Sequence, residues 1–225
     1  MSKRLIKKHP LAIRWFHWIN FPVLFVMIWS GLLIYGANRV YRIGIGEWTL
    51  FAFDTKFAEQ FNLRFRLAEG LAWHFTFMWI FALNGLLYVL YLAFSREWKH
   101  LLPKRNTLRE AWHVVLHDLR LSKKPLPQTK FNGAQRIAYT SVILLGLGSL
   151  LSGLAIYKPT QFAWLTWMMG GYQSARWIHF WITFAFCAFF LVHIAQVIRA
   201  GWNNFRAMVT GYELTEDEGP EDKAA

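Results

Sequence analysis

Cysteine occurs once in the 225 residues, at Cys187. A single thiol excludes a disulfide framework, a cysteine zinc site, an iron–sulfur cluster held by this chain alone and the CxxCH attachment of a c-type haem. Charge is also sparse, at 17 % of residues, against roughly 25 % in an ordinary soluble domain. Acidic residues are the scarcer sign, 13 against 25 Lys and Arg, which leaves a formal charge of +12. Apolar residues are what the chain has in excess. They make up 55 %, with 13 Trp and 20 Phe, and the mean hydropathy is +0.23. Such a composition excludes intrinsic disorder and argues against a soluble globule, which would have to hide too much apolar surface. A basic chain suits nucleic acid or a membrane. The apolar excess selects the membrane, and no nucleic-acid partner is expected.

Four stretches contain no Asp, Glu, Lys or Arg: between Arg14 and Arg39, Glu69 and Arg96, Arg136 and Lys158, and Arg176 and Arg199. They hold 24, 26, 21 and 22 residues. A helix that crosses hydrocarbon needs about 20 such residues at 1.5 Å each. The prediction is an all-α, integral-membrane four-helix bundle with spans near 15–36, 70–95, 137–157 and 177–198. A fifth uncharged gap, from Pro159 to Ala175, is broken by Pro159, Gly170 and Gly171 and reads as a short interfacial connection. The basic start, Lys3-Arg4 and Lys7-Lys8, resembles a signal-peptide n-region. The apolar run after it is of full spanning length and has no small-residue cleavage site, so no cleavage is expected.

Lys and Arg set the expected orientation. Residues 1–14 carry five and the 96–136 connection carries ten against three acids; the 39–69 connection carries five with four acids, and the 158–176 connection carries two. The N terminus, the long central connection and the C terminus are therefore expected in the cytoplasm of a bacterial inner-membrane protein. Trp15, Trp18, Trp73, Trp98, Trp177 and Trp202 fall near span ends, as an aromatic belt requires. In 106–120, Leu108, Trp112, Val115 and Leu119 recur on one helical face, which predicts an amphipathic helix on the membrane surface. Trp48, Phe51, Phe53, Phe57, Phe61 and Phe65 suggest an interfacial or partner-docking segment over 47–65. The membrane domain is expected over 1–212, and the acidic tail over 213–225 is expected to fray.

Of the eight histidines, His17, His74, His179 and His193 fall within the spans, where an ionisable residue is costly and so marks function. His179 and His193 are 14 apart on one helix, hence on nearly the same face and about 21 Å apart along the axis. His17 begins the first span and lies level with His193. His74 begins the second span and lies level with His179. Each level thus has two imidazoles on different helices, and two neutral imidazoles can be trans axial ligands of one haem iron. Packing or a proton relay are the alternatives. Arg14 and Arg176, one turn before His17 and His179, could pair with haem propionates or simply anchor span ends. Gly31, Gly85, Gly146, Gly148 and Gly153 could admit a flat macrocycle or serve plain helix contacts. His113 and His117 have metal-ligand spacing. They have no supporting pattern beyond Asp118 and read as solvated or interfacial. Asn132 and Gln135, just before Arg136, lie at the depth of His17 and His193. An amide can both donate to and accept from a quinone, and Asn is equally a favoured helix cap.

Arg14-Trp15-Phe16-His17-Trp18 with Ser30-Gly31-Leu32 resembles the first helix of the prokaryotic di-haem cytochrome b family. Its members are membrane subunits of nickel–iron hydrogenases, respiratory formate dehydrogenases and thiosulfate reductases. Arg176-Trp177-Ile178-His179, His193, Gly201-Trp202-Asn203 and Met208-Val209-Thr210-Gly211 resemble its last helix and tail. The stretch from Phe131 to Arg136 resembles the entry to its third helix. The resemblance implies two b-type haems, with His17 and His193 on the inner one and His74 and His179 on the outer one. It also implies quinone chemistry near the inner haem, where Asn132 and Gln135 are candidates, and a dehydrogenase or reductase partner outside. The long Phe-rich 39–69 connection departs from the family pattern.

The expected function is an electron-transfer subunit linking the quinone pool to a periplasmic or membrane-anchored redox subunit. That partner would carry iron–sulfur or molybdenum centres, because this chain has no cysteine ligands for its own. A stand-alone quinol-linked oxidase or superoxide or ferric reductase is an alternative, as is a haem-free transporter or anchor.

Overall fold

The computed structural model describes residues 3–37, 43–45, 48–51, 55–122 and 131–216. In chain order the elements are β1 (Lys3–Lys7), α1 (Leu11–Ala37), β2 (Ile43–Ile45), β3 (Trp48–Phe51), α2 (Thr55–Gln60) and α3 (Leu67–Ser95). They continue as α4 (Trp98–Leu101), α5 (Thr107–Asp118), α6 (Gly133–Tyr157), α7 (Ala163–Met168), α8 (Tyr172–Thr210) and β4 (Tyr212–Glu216). Helices α1, α3, α6 and α8 are long and apolar enough to cross a membrane. Hydrocarbon offers no partner for backbone N–H and C=O groups, and a helix satisfies them within one segment. Each helix begins a few residues before its charge-free stretch, with Arg14, Glu69, Arg136 and Arg176 near its first turn.

The four long helices form two antiparallel pairs. In α1/α3, Ser30 meets His74 and the Asn84 side chain donates to the Phe16 carbonyl at 3.1 Å. Gly70 makes the close approach possible: a Cβ there would lie 2.8 Å from Leu33 Cβ and 3.0 Å from the Ser30 carbonyl. In α6/α8, Ser152 meets His179. Packing within each pair is denser than packing between pairs. Aromatic rings bridge the pairs, with Phe21 against Phe190, Tyr35 against Phe180 and Phe75 against Tyr157. The outer faces are apolar and exposed, as at Phe25, Leu83, Leu144, Leu191 and Val192. Lipid tails, not a protein core, are the solvent these faces require.

The last helix differs from its expected span. It runs on to Thr210 but breaks at Gly201, whose φ of 79° lies in the left-handed region, open to glycine at little cost. The piece after the break folds back on the start of α1. Arg14 Nη2 donates to the Val209 carbonyl, and Trp18 Nε1 donates to the Met208 carbonyl at 3.1 Å. The chain then turns at Gly211 (φ 91°), and β4 pairs antiparallel with β1, Lys3 opposite Glu216 and Leu5 opposite Leu214. The expected fraying therefore does not hold over 213–216. Basic β1 meets acidic β4, and Lys8 bridges Glu213 at 2.8 Å. Asp217, Glu218, Glu221 and Asp222 lie outside the described residues.

The surface elements follow their patterns. On α5, Leu108, Trp112 and Val115 face outward, as does Leu119 just after it, as a helix on lipid requires. Its opposite face is pressed against α6, where a Cβ on Gly133 would fall 2.6 Å from Glu110 Cβ. Asp118 ties α5 to α8, accepting from Gln196 at 2.9 Å and from Arg199 at 2.9 Å. The uncharged 159–175 gap holds the short α7. The Phe-rich connection holds β2, β3 and α2. Ala58 and Leu63 there pack on Leu33 of α1, while Phe61 and Phe65 are exposed. Phe53 lies outside the described residues.

Candidate functional site

All four intramembrane histidines meet as pairs between the two helix pairs. His17 on α1 faces His193 on α8 with ring centroids 6.0 Å apart. His74 on α3 faces His179 on α8 with centroids 6.1 Å apart. Helix α8 supplies one imidazole to each pair because a 14-residue spacing returns to almost the same face.

The separations bear on what the pairs can hold. Such separations are within the ordinary range for edge-to-face rings. Two imidazoles ligating one metal ion from opposite sides, each at about 2 Å, place their centroids about 6 Å apart. Among the described residues no group of three or more His, Cys, Asp or Glu could hold a metal ion. Each pair would thus offer two ligands and no more, as suits an iron whose other four ligands belong to a macrocycle.

Ring orientation at His74 and His179 comes from the neighbouring helix. Ser30 Oγ lies 2.9 Å from His74 Nδ1, and Ser152 Oγ lies 2.9 Å from His179 Nδ1. Both serines are wholly buried. A glycine follows each serine: a Cβ on Gly31 would touch His74 Cε1 at 3.7 Å, and one on Gly153 would touch His179 Cε1 at 3.4 Å. A side chain larger than a methyl would therefore crowd the ring. A cavity lined by Leu24, Met27, Ile28, His74, His179 and Phe186 opens beside this pair. At the other level, His17 Nδ1 is buried with no hydrogen-bond partner among the described residues. A buried polar atom left without a partner is costly. The two facing imidazoles at each level fit a haem, and at His74 and His179 the glycine flanks leave room beside the rings.

The remaining candidates take local roles. Arg14 holds the Val209 carbonyl, while its Nε is buried without a partner among the described residues. Arg176 bonds Gln173 at 3.3 Å and lies over the Tyr172 ring. Asn132 Oδ1 accepts from Gln135 N at 2.9 Å and Gln135 Oε1 accepts from Asn132 N at 3.0 Å. This reciprocal capping box starts α6. Both amide oxygens are thereby engaged, so the NH2 groups are what these side chains can offer a ligand. Among the glycines, Gly31 and Gly153 flank histidines, Gly148 abuts Ile182, Gly146 lies near Phe81, and nothing lies within 4 Å of a Cβ on Gly85. His117 Nδ1 lies 3.9 Å from Asp118 Oδ1. Sequence reasoning gave no role to Ser30, Ser152 or Asn84. Their signal was a hydroxyl or amide inside an uncharged span, followed in all three cases by glycine.

Comparison with known proteins adds two findings. Residues 8–211 match the family described as prokaryotic cytochrome b561. The chain is also similar to the putative protein-methionine-sulfoxide reductase subunit YedZ1 of Azospira oryzae. The two are 32 % identical over 198 residues, which covers 88 % of this chain and 93 % of the relative.

Proposed function

The chain belongs to the prokaryotic cytochrome b561 family, a multi-pass bacterial inner-membrane cytochrome b, and from that premise we propose that it carries electrons through two haems between the membrane quinone pool and a separate redox subunit. The observation that carries this reading is the pair of facing imidazoles at each level, 6.0 and 6.1 Å apart. His17 and His193 would hold one haem, and His74 and His179 the other.

Haem b supplies a one-electron Fe(III)/Fe(II) couple when bound. The protein's own residues do the rest. The histidines fix two centres about 21 Å apart along α8, so together they span most of the hydrocarbon. Apolar walls such as Leu24, Ile28 and Phe186 exclude water. The basic connections place the termini and α5 in the cytoplasm by the positive-inside rule. The His17–His193 centre then faces the cytoplasm and the His74–His179 centre faces the periplasm. Asn132 and Gln135 sit at the cytoplasmic level, where their NH2 groups can donate to a quinone carbonyl. Arg14 and Arg176 lie one turn from a histidine at each level, within the sequence distance of a propionate partner.

The similar protein's description as a reductase subunit supports a catalytic partner for this chain too. A periplasmic reductase or dehydrogenase with its own iron–sulfur or molybdenum centre suits a chain that has one cysteine.

Haem content and spectra of purified single-histidine variants test the reading. Wild type is expected to hold two haems per chain. His17→Ala or His193→Ala should remove one spectral component, and His74→Ala or His179→Ala the other. Loss of the same component in His17→Ala and His74→Ala would refute the pairing.

A further inference from the structure

The two helix pairs repeat one device. In each, a buried serine on the first helix meets a histidine on the second at 2.9 Å, and a glycine follows the serine. The hydroxyls have the same second contact. Ser30 Oγ donates to the Met27 carbonyl at 3.1 Å, and Ser152 Oγ donates to the Gly148 carbonyl at 2.6 Å, with the Ser149 carbonyl at 3.3 Å. With the hydroxyl proton on the backbone carbonyl, each Oγ turns a lone pair towards the imidazole. That arrangement puts the imidazole proton on Nδ1 and leaves Nε2 as the ligating nitrogen.

The other centre is built differently. His17 Nδ1 has no partner among the described residues, and His193 stacks on Phe189 at 5.9 Å with the rings 7° from parallel. A ligating imidazole that donates its second N–H is a stronger electron donor to the metal. Stronger donation stabilises Fe(III) over Fe(II) and lowers the reduction potential.

We propose that Ser30 and Ser152 are matched positioning residues that hold His74 and His179 through Nδ1–H and make theirs the lower-potential centre of the two. The proposal rests on the reading that each imidazole pair ligates one haem iron. Each centre takes one electron, Fe(III) to Fe(II), with no ligand bond made or broken and no proton moved at Nδ1. The serines act on ligand strength and not on ligation itself, so an electron arriving from either side settles first at the His17–His193 centre.

The experiment is a spectroscopic redox titration of the purified full chain. His17→Ala isolates the His74–His179 centre and identifies its signal. In the otherwise native chain, Ser30→Ala and Ser152→Ala should each keep two haems and raise only that signal's potential. The double variant should shift its equilibrium about tenfold towards Fe(II), about 59 mV for one electron. Ser30→Thr and Ser152→Thr keep the hydroxyl and should keep the native value. An unmoved potential in the double alanine variant would overturn the proposal, as would an equal shift of both centres or a native order with the His74–His179 centre higher. A wild-type chain with one haem would overturn it together with the reading beneath it.

Discussion

Replacing Gly70 tests how the α1/α3 contact builds the His74 level. A Cβ at Gly70 would meet Leu33 Cβ at 2.8 Å, the Ser30 carbonyl at 3.0 Å and the Ile34 amide at 3.1 Å. Carbon atoms in ordinary contact are about 3.5–4.0 Å apart, so Gly70→Val must push the helices apart by about 1 Å. Overpacking of this kind costs about 1–3 kcal/mol. The same displacement would stretch the Ser30–His74 contact from 2.9 Å to about 4 Å, beyond hydrogen-bond reach. It would also carry His74, on the same helix, about 1 Å out of line with His179, whereas a metal ligand must sit within about 0.2 Å of its proper distance. Gly70→Val should therefore lower haem occupancy at the His74–His179 centre and leave the His17–His193 centre filled, since that pair is at the other end of α1. Gly70→Ala should show a smaller loss of the same kind. Gly85→Ala, on the same helix with nothing within 4 Å, should retain both haems. The assay is haem per chain with each spectral component quantified. Native occupancy in Gly70→Val, or equal depletion of both components, would refute the argument.

Other perturbations separate structural from chemical roles. Asn132→Leu removes the cap of α6, worth about 1 kcal/mol, and should keep both haems while slowing haem reduction by a quinol analogue at least tenfold. Asn132→Ser restores a capping oxygen without an NH2 group, so native quinol kinetics in that variant would remove the amide from quinone chemistry. Reporter fusions at Asn106 should read cytoplasmic and fusions at Thr166 periplasmic, and the reverse result would invert the two levels. Lys8→Ala breaks a half-exposed ion pair with Glu213 and should cost less than about 1 kcal/mol in thermal unfolding. Gly211→Ala should cost more, because φ there is 91° and a Cβ would lie 2.9 Å from Arg14 Nη1. Equal melting shifts in those two variants would mean that the turn contributes no more than the ion pair.

The amino-acid sequence by itself determined the four membrane crossings and the level of each histidine. Charge in hydrocarbon is costly over every turn it occupies, so its absence across 21 to 26 residues identifies a span without knowledge of its neighbours. Helical rise then converts residue number into depth, which is why His17 could be set level with His193 and His74 with His179. The amphipathic face of α5 was readable for the same local reason. What lies across a helix interface was not readable. Ser30 and Ser152 carry no distinctive signal in one dimension, and their roles depend on Gly70 and the packing of α6 on α8 bringing particular faces together. Asn132 suited a cap or a ligand equally well until its bonds with Gln135 were seen. The acidic residues after Gly211 looked unpartnered because their basic complement is at the opposite end of the chain. Depth is set by each helix's own contact with lipid, whereas hydrogen-bond partners depend on how separate helices rotate and approach, and only the tertiary structure decided that.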